Sequence, residues 1–192
     1  LASGVTIWSA YEVGLMWAFA NGYIPTMEVS TNPTWFVAAF MLIPLWYSFY
    51  FYWVHRFLHW PPLYRAAHAV HHRNVNVGPW SGMSMHPIEH LLYLASPIIH
   101  FVLPTHPLHI IFHLQFNVLI AVITHSGFEN LLIKDKKRMG LGYFFHQLHH
   151  RYFECNYGTD EMPWDKWFGT FHDGTADATG RVRERRKRMH SK

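Results

Sequence analysis

Apolar residues fall in long stretches separated by turn signals. Val5 to Tyr23 is mostly apolar, interrupted by Glu12 and closed by Asn21-Gly22. Its length suits a membrane helix, which needs about 20 residues, although the acid weakens that reading. Thr34 to Val54 is the strongest span, with no charge before Arg56. Pro44 predicts a kink within it, and Pro61-Pro62 predict its end. Leu63 to His72 reads as a short helix, and Asn74 to Ser84, rich in Gly, Asn, Ser and Pro, as a loop. The apolar region from Ile88 to Thr124 is divided by Pro97, Pro104 and Pro107. Its pieces, Leu91 to Leu103 and Leu108 to Thr124, predict a helical hairpin that enters a bilayer and returns to the same side. That path would bring His125 back to the face the chain had left. Lys134 to Arg138 reads as a polar loop, Gly142 to Tyr152 as a helix, and Arg151 to Thr175 as a polar-aromatic cover on the aqueous side.

Composition sharpens this picture. The 192 residues suffice for one domain with a substantial core. They are 18% aromatic and 15% charged, against roughly 25% charged in an average soluble chain. Low charge with many Trp, Tyr and Phe predicts a membrane protein with aromatics near the headgroups. The expected fold is all-α: transmembrane helices under a cytosolic, histidine-rich helical cap that holds a dimetal site. Residues 1–175 are expected to form one membrane domain and 176–192 a basic tail. The net charge of +4 comes largely from Arg181 to Lys192. That segment is expected to be a solvated tail, with an anionic-lipid contact as the other reading, and it does not point to nucleic acid. Cys155 is the only cysteine and is read as structural. An intrachain disulfide, a thiolate-rich zinc site and an iron–sulfur cluster are thereby excluded. The chain begins at Leu1, so an N-terminal segment is expected to be missing; no signal-peptide pattern is visible.

Seventeen histidines carry the candidate chemistry. Three clusters stand at the ends of the apolar stretches: His55-Arg-Phe-Leu-His59, His68-Ala-Val-His71-His72 and His146-Gln-Leu-His149-His150. Residues one helical turn apart share a face, so each cluster presents two or three ring nitrogens together. In His-x-x-His-His, the pair three apart and the adjacent third imidazole can reach two ions. Imidazole suits iron, zinc, copper and nickel. His125-Ser-Gly-Phe-Glu129 offers a fourth pair, with His125 a ninth ligand and Glu129 a ligand or an acceptor that orients an imidazole. His86, Glu89 and His90 are candidates for metal binding or for supporting it; Pro87 reads as a helix start. Asn156 and Asp165 are candidates for positioning ligands or a donor protein. His100, His106, His109 and His113 are read as interfacial or packing residues, and His172 and His190 as solvated.

So many histidines with so few carboxylates favour two redox metals that activate oxygen against unactivated C–H bonds, such as those of a lipid. A zinc-dependent membrane hydrolase is the alternative, with Glu129 or Glu89 as its base. A metal transporter fits less well, because transporters place ligands near mid-bilayer.

At these residues the chain resembles the fatty acid hydroxylase superfamily, which includes sterol C5-desaturases, sterol C4-methyl oxidases and fatty acid 2-hydroxylases. The resemblance runs from about Trp46 to Thr170 and rests on the three histidine clusters, Leu63-Tyr64-Arg65, His86-Pro87-Ile88-Glu89, Asn156-Tyr157-Gly158 and Trp164-Asp165-Lys166-Trp167-Phe168-Gly169-Thr170. It implies a membrane-embedded non-haem di-iron oxygenase that hydroxylates or desaturates a lipid. Oxygen would be its co-substrate, and its histidines would face the cytosol. Zinc could replace iron in purified protein. No fused cytochrome is visible, so electrons would come from a separate cytochrome b5 or ferredoxin. Some members carry a further His-x-x-x-His pair where this chain has His125 and Glu129, which leaves one metal's ligand set open.

Overall fold

A computed structural model describes residues 2–190, without the side chains of 137, 138, 189 and 190. Proline sets most of its helix starts. A proline in the first helical turn costs no hydrogen bond, since that N–H has no partner within the helix. Helix α1 spans Ala2–Ala20. Helix α2, Pro33–Leu58, runs through Pro44 to the first histidine cluster. A short α3, Pro61–Ala66, then leads into a 3-10 segment, His68–Arg73. Helix α4 is Pro87–Tyr93 and α5 is Pro107–Thr124. Both take a histidine as N-cap: the ring Nδ1 of His86 accepts from the Ile88 amide, and that of His106 from the Leu108 amide. Helix α6, Tyr143–Tyr152, carries the third cluster; α7 is Trp164–Trp167 and α8 is Ala176–His190.

Helices α2 and α5 are long and apolar enough to cross a membrane. They lie side by side and run parallel. Phe36 packs on His109 near their starts, with ring centroids 5.1 Å apart, and Tyr47 on Phe116 midway, at 5.5 Å. Only 28% and 33% of their most apolar stretches are buried within the chain. Outward residues such as Met41 and Leu119 therefore present an apolar surface suited to lipid. Helix α1 is not among the candidate spans. It packs on α4 and α5, burying Leu15 and Ala18 against Ile110 and Leu114.

Three expectations change. The hairpin's first limb is no continuous helix: α4 is followed by a 3-10 turn, Ser96–Phe101, because Pro97 and Pro104 interrupt the hydrogen-bond ladder. Helix α5 still returns His125 to the other clusters. The fold is mostly helical but not all-α. The expected polar loop lies in an antiparallel hairpin of β1, Asn130–Ile133, and β2, Lys136–Gly140. Its turn residues, Lys134 and Asp135, both have positive φ, at 51° and 56°, which matches the twist of a two-residue hairpin turn. Finally, Ala176–His190 is a docked helix rather than a solvated tail. Ala178 and Val182 are buried, and Arg185 donates to the Glu154 and Gly169 carbonyls.

Candidate metal centre

The nine clustered histidines, from four separate segments, come together as two adjacent groups, each able to hold a metal ion. One comprises His55, His59, His68, His72 and His149; the other comprises His71, His125, His146 and His150. All nine are buried. The division crosses the sequence clusters. On α2, His55 and His59 stand one turn apart and serve the same group. In the 3-10 segment the neighbours His71 and His72 diverge to different groups. On α6, His146 and His150 share one face, while His149 points to the first group.

The nitrogen geometry tests whether a cation fits. In the first group, Nε2 of His59 lies 3.1 Å from that of His68 and 3.2 Å from those of His72 and His149. His72 is 3.0 Å from His68 and 3.1 Å from His149. In the second, His146 is 3.0 Å from His125 and 3.1 Å from His150. Nitrogens bound to one ion at about 2.0–2.1 Å stand roughly 3.0–3.4 Å apart. Tautomers decide the rest. Nδ1–H of His55 donates to the Tyr157 carbonyl at 2.7 Å, that of His149 to Cys155 at 2.6 Å, and that of His125 to Ala121 at 2.7 Å. A carbonyl can only accept, so each Nε2 of these neutral rings presents a lone pair. The buried Nε2 of His55 has no hydrogen-bond partner among the described residues. Converging lone pairs repel one another unless a cation sits between them, so these residues fit metal ions.

Burial, and then the neighbouring imidazoles, hold His59, His68, His71, His72, His146 and His149 well below the ordinary imidazole range. Burial lowers His125 to about 4, against the opposing Ala121 carbonyl. The rings are therefore neutral near pH 7, the form that binds metals.

Glu89 is fully buried, with Oε1 2.7 Å from His68 Nδ1. It orients that ring from behind, one of the roles its position in the sequence suggested. Glu129 belongs to neither group. Helix α5 ends at Thr124 and Gly127 has φ +87°, so no helical turn joins His125 to Glu129. Glu129 is exposed and accepts from the Phe144 amide at 2.8 Å, capping α6 instead. His86 belongs to neither group and uses its Nδ1 in the capping bond. His90 lies away from both groups, beside Ser3 and Gly4. Asn156, at φ +50°, bonds the Phe145 and His172 backbones. Asp165 accepts from the Tyr157 and Gly158 amides and the Thr170 hydroxyl, fixing the loop whose carbonyl holds His55.

His100 and His113 are buried in a polar chain that runs from Thr105 to Ser96, away from the nine. His106 and His109 sit at the start of α5. His172 is buried and stacked on Tyr152, which corrects its reading as solvated: the turn after Thr170 folds back onto α6. His190's side chain lies outside the described residues. Sequence reasoning missed the three carbonyls that set the tautomers, since any residue can supply one. It also missed Gly82, where a Cβ would stand 2.3 Å from the Ala121 oxygen.

Comparison with known proteins follows this geometry. The fatty acid hydroxylase family model matches residues 40–170. The chain is similar to the Delta(7)-sterol 5(6)-desaturase ERG3 of Saccharomyces cerevisiae, 33% identical over 62% of this chain and 32% of that protein. It is also similar to the Delta(7)-sterol 5(6)-desaturase of Eremothecium gossypii, 33% identical over 67% and 36%. A third relative is the Delta(7)-sterol-C5(6)-desaturase of Nicotiana tabacum, 32% identical over 66% and 46%. The chain thus spans a third to a half of the length of these relatives. No solved structure matches it.

Proposed function

The chain belongs to the fatty acid hydroxylase family, and on that premise we propose that it is a membrane-bound, non-haem di-iron oxygenase that hydroxylates or desaturates a lipid. The observation that carries this reading is the pair of adjacent all-imidazole groups at one end of two lipid-suited helices. His55, His59, His68, His72 and His149 would hold one iron; His71, His125, His146 and His150 would hold the other. When bound, the irons would supply the activation of dioxygen that an unactivated C–H bond requires. The sterol desaturase names of the relatives make a sterol the first substrate to test.

The chain's own residues would prepare the site. The carbonyls of Tyr157, Cys155 and Ala121 keep protons on Nδ1 and lone pairs on Nε2. Burial keeps the imidazoles neutral and excludes bulk water. A small cavity lets His55, His71, His125 and His146 meet Phe51 and Tyr93, where a substrate carbon would be presented. On another side, His59, Tyr64, Arg65, Glu154 and Arg186 line a cavity of about 210 Å³. This is where electrons from a separate donor, of cytochrome b5 or ferredoxin type, would enter. The basic residues of β2 and of α8 follow the two spans at the metal end, which favours a cytosolic orientation. Residues 1–175 would act as one membrane unit, with α8 packed on it.

A zinc hydrolase would need a carboxylate beside bound water. Glu129 caps α6 and Glu89 stands behind His68, so both proposed bases are engaged elsewhere. Transport is disfavoured because both groups lie at helix ends. The test is product formation from sterols and acyl lipids by reconstituted protein with a reductant. Turnover should require oxygen and vanish in His149→Ala. Undiminished turnover under argon would overturn the oxygenase reading and favour the hydrolase.

A further inference from the structure

Both strands of the β-hairpin are edges. They pack chiefly on each other, and a two-stranded hairpin alone in water is marginally stable. A strand with one face on a core alternates buried and exposed side chains. Strand β1 does not: Leu131, Leu132 and Ile133 are 45%, 58% and 50% exposed, and Met139 of β2 is 48% exposed. Phe128, just before β1, is exposed as well. The base of the hairpin is fixed. The Leu141 amide donates to the Glu129 carbonyl at 2.9 Å, and the Glu129 carboxylate holds the start of α6. Beyond that base, no apolar side chain described in either strand is buried.

The position of the hairpin says what covers these side chains. Met139 and Gly140 form one wall of an outer cavity of about 310 Å³ between α2 and α5, together with Leu45, Phe116 and Ile123. Phe116 stands eight residues before the end of α5, about 12 Å along its axis at a rise of about 1.5 Å per residue. The hairpin therefore lies beside the candidate spans, not beyond them. Its apolar residues extend the exposed surface of the spans, to which Leu45 in the same cavity wall belongs. The turn supplies a complementary charge. Residues 134–138 comprise three lysines, one arginine and one aspartate, and Lys134 and Lys136 are exposed. Apolar side chains next to basic ones are the two parts of an interfacial anchor, one for the acyl boundary and one for anionic headgroups. Helix α8 is basic too, but its exposed side chains from Arg181 to Arg188 are all charged, so it has no apolar part to insert.

We propose that the β-hairpin is an interfacial anchor: Leu131, Leu132, Ile133 and Met139 enter the acyl boundary beside α2 and α5, and the basic turn binds the headgroups of anionic phospholipids. Such an anchor requires the membrane placement of the two spans but neither metal nor turnover, so it stands apart from the oxygenase reading. For the test, wild-type protein is placed in nanodiscs, one copy per disc, of phosphatidylcholine with or without added phosphatidylserine. Hydrogen exchange of the hairpin amides should be slower with phosphatidylserine. A phosphatidylserine carrying a diazirine in its acyl chain should label residues 131–133 as well as Leu119 on α5. Each basic residue near an anionic surface is worth about fivefold in partitioning. Lys134→Gln/Lys136→Gln should therefore lower the protection by up to about 30-fold, and salt at about 1 M, where the Debye length is about 3 Å, should lower it in the wild type. Equal protection in the two lipids, or labelling of Leu119 without the hairpin, would overturn the anchor. Labelling of neither would overturn the membrane placement as well. Protection that appears only with two copies per disc would assign the strand edges to a second copy of the chain instead. The lipid comparison requires no variant to fold.

Discussion

Glu89 is fully buried and places a carboxyl oxygen on His68. Glu89→Gln should preserve the fold but weaken metal binding by about 10–100-fold, the usual cost of losing such an orienting group. Competition with a chelator measures this, and wild-type affinity would show that Glu89 plays no part. Asp165 does comparable work one step further out. Asp165→Ala would strand the buried amides of Tyr157 and Gly158, while the Thr170 hydroxyl keeps Tyr52 as a partner. At about 1–3 kcal/mol for each of the two amides left unsatisfied, and about 2–4 °C per kcal/mol for a chain of this length, Tm should fall by roughly 4–24 °C, as followed by circular dichroism in detergent. At this scale the sequence is informative about which histidines gather, because helical spacing is a local property. It is silent on how they divide. The separation of His71 from His72 depends on 3-10 geometry, and that of His149 from His150 on where α6 docks.

Among the elements, α5 matters most, since its last turn delivers His125 while its side wall forms the outer cavity. Gly82 lets a neighbouring 3-10 turn, Pro79–Met83, approach that last turn closely. Gly82→Ala should push α5 aside, cost about 1–3 kcal/mol, and deplete metal from the His125 group in preference to the other. Elemental analysis per chain checks it, and unchanged metal content would contradict it. Glu129→Gln should leave metal content at the wild-type level, whereas His125→Ala should reduce it; a loss in Glu129→Gln would restore that residue as a ligand. The start of α4 at Pro87 was readable because proline acts locally, whereas Pro61 read only as the end of α2 and also begins α3. The β-hairpin was not: the charged run Lys134 to Arg138 resembles a loop, and the apolar residues of β1, Leu131, Leu132 and Ile133, are exposed rather than alternating between core and solvent. Helix α8 was hidden by composition, since two small apolar residues, Ala178 and Val182, anchor a segment dominated by arginine.

At the level of the whole molecule, two parallel apolar helices carry their outward faces toward lipid and their C-terminal ends toward a dense polar centre. The three histidine clusters at the ends of apolar runs made that division legible. Its closure by the Asn156–Thr170 region, through Asp165 and the Tyr157 carbonyl, was legible only as a motif without a role. The account stands on the claim that both imidazole groups bind iron. The most direct measurement is metal content per chain after purification without chelators or added metal, for the wild type and His149→Ala. The expected result is about two irons in the wild type, one for each group, and less in the variant, with the protein still in the membrane. Iron-free wild-type protein that neither takes up iron on reconstitution nor then consumes oxygen would contradict it.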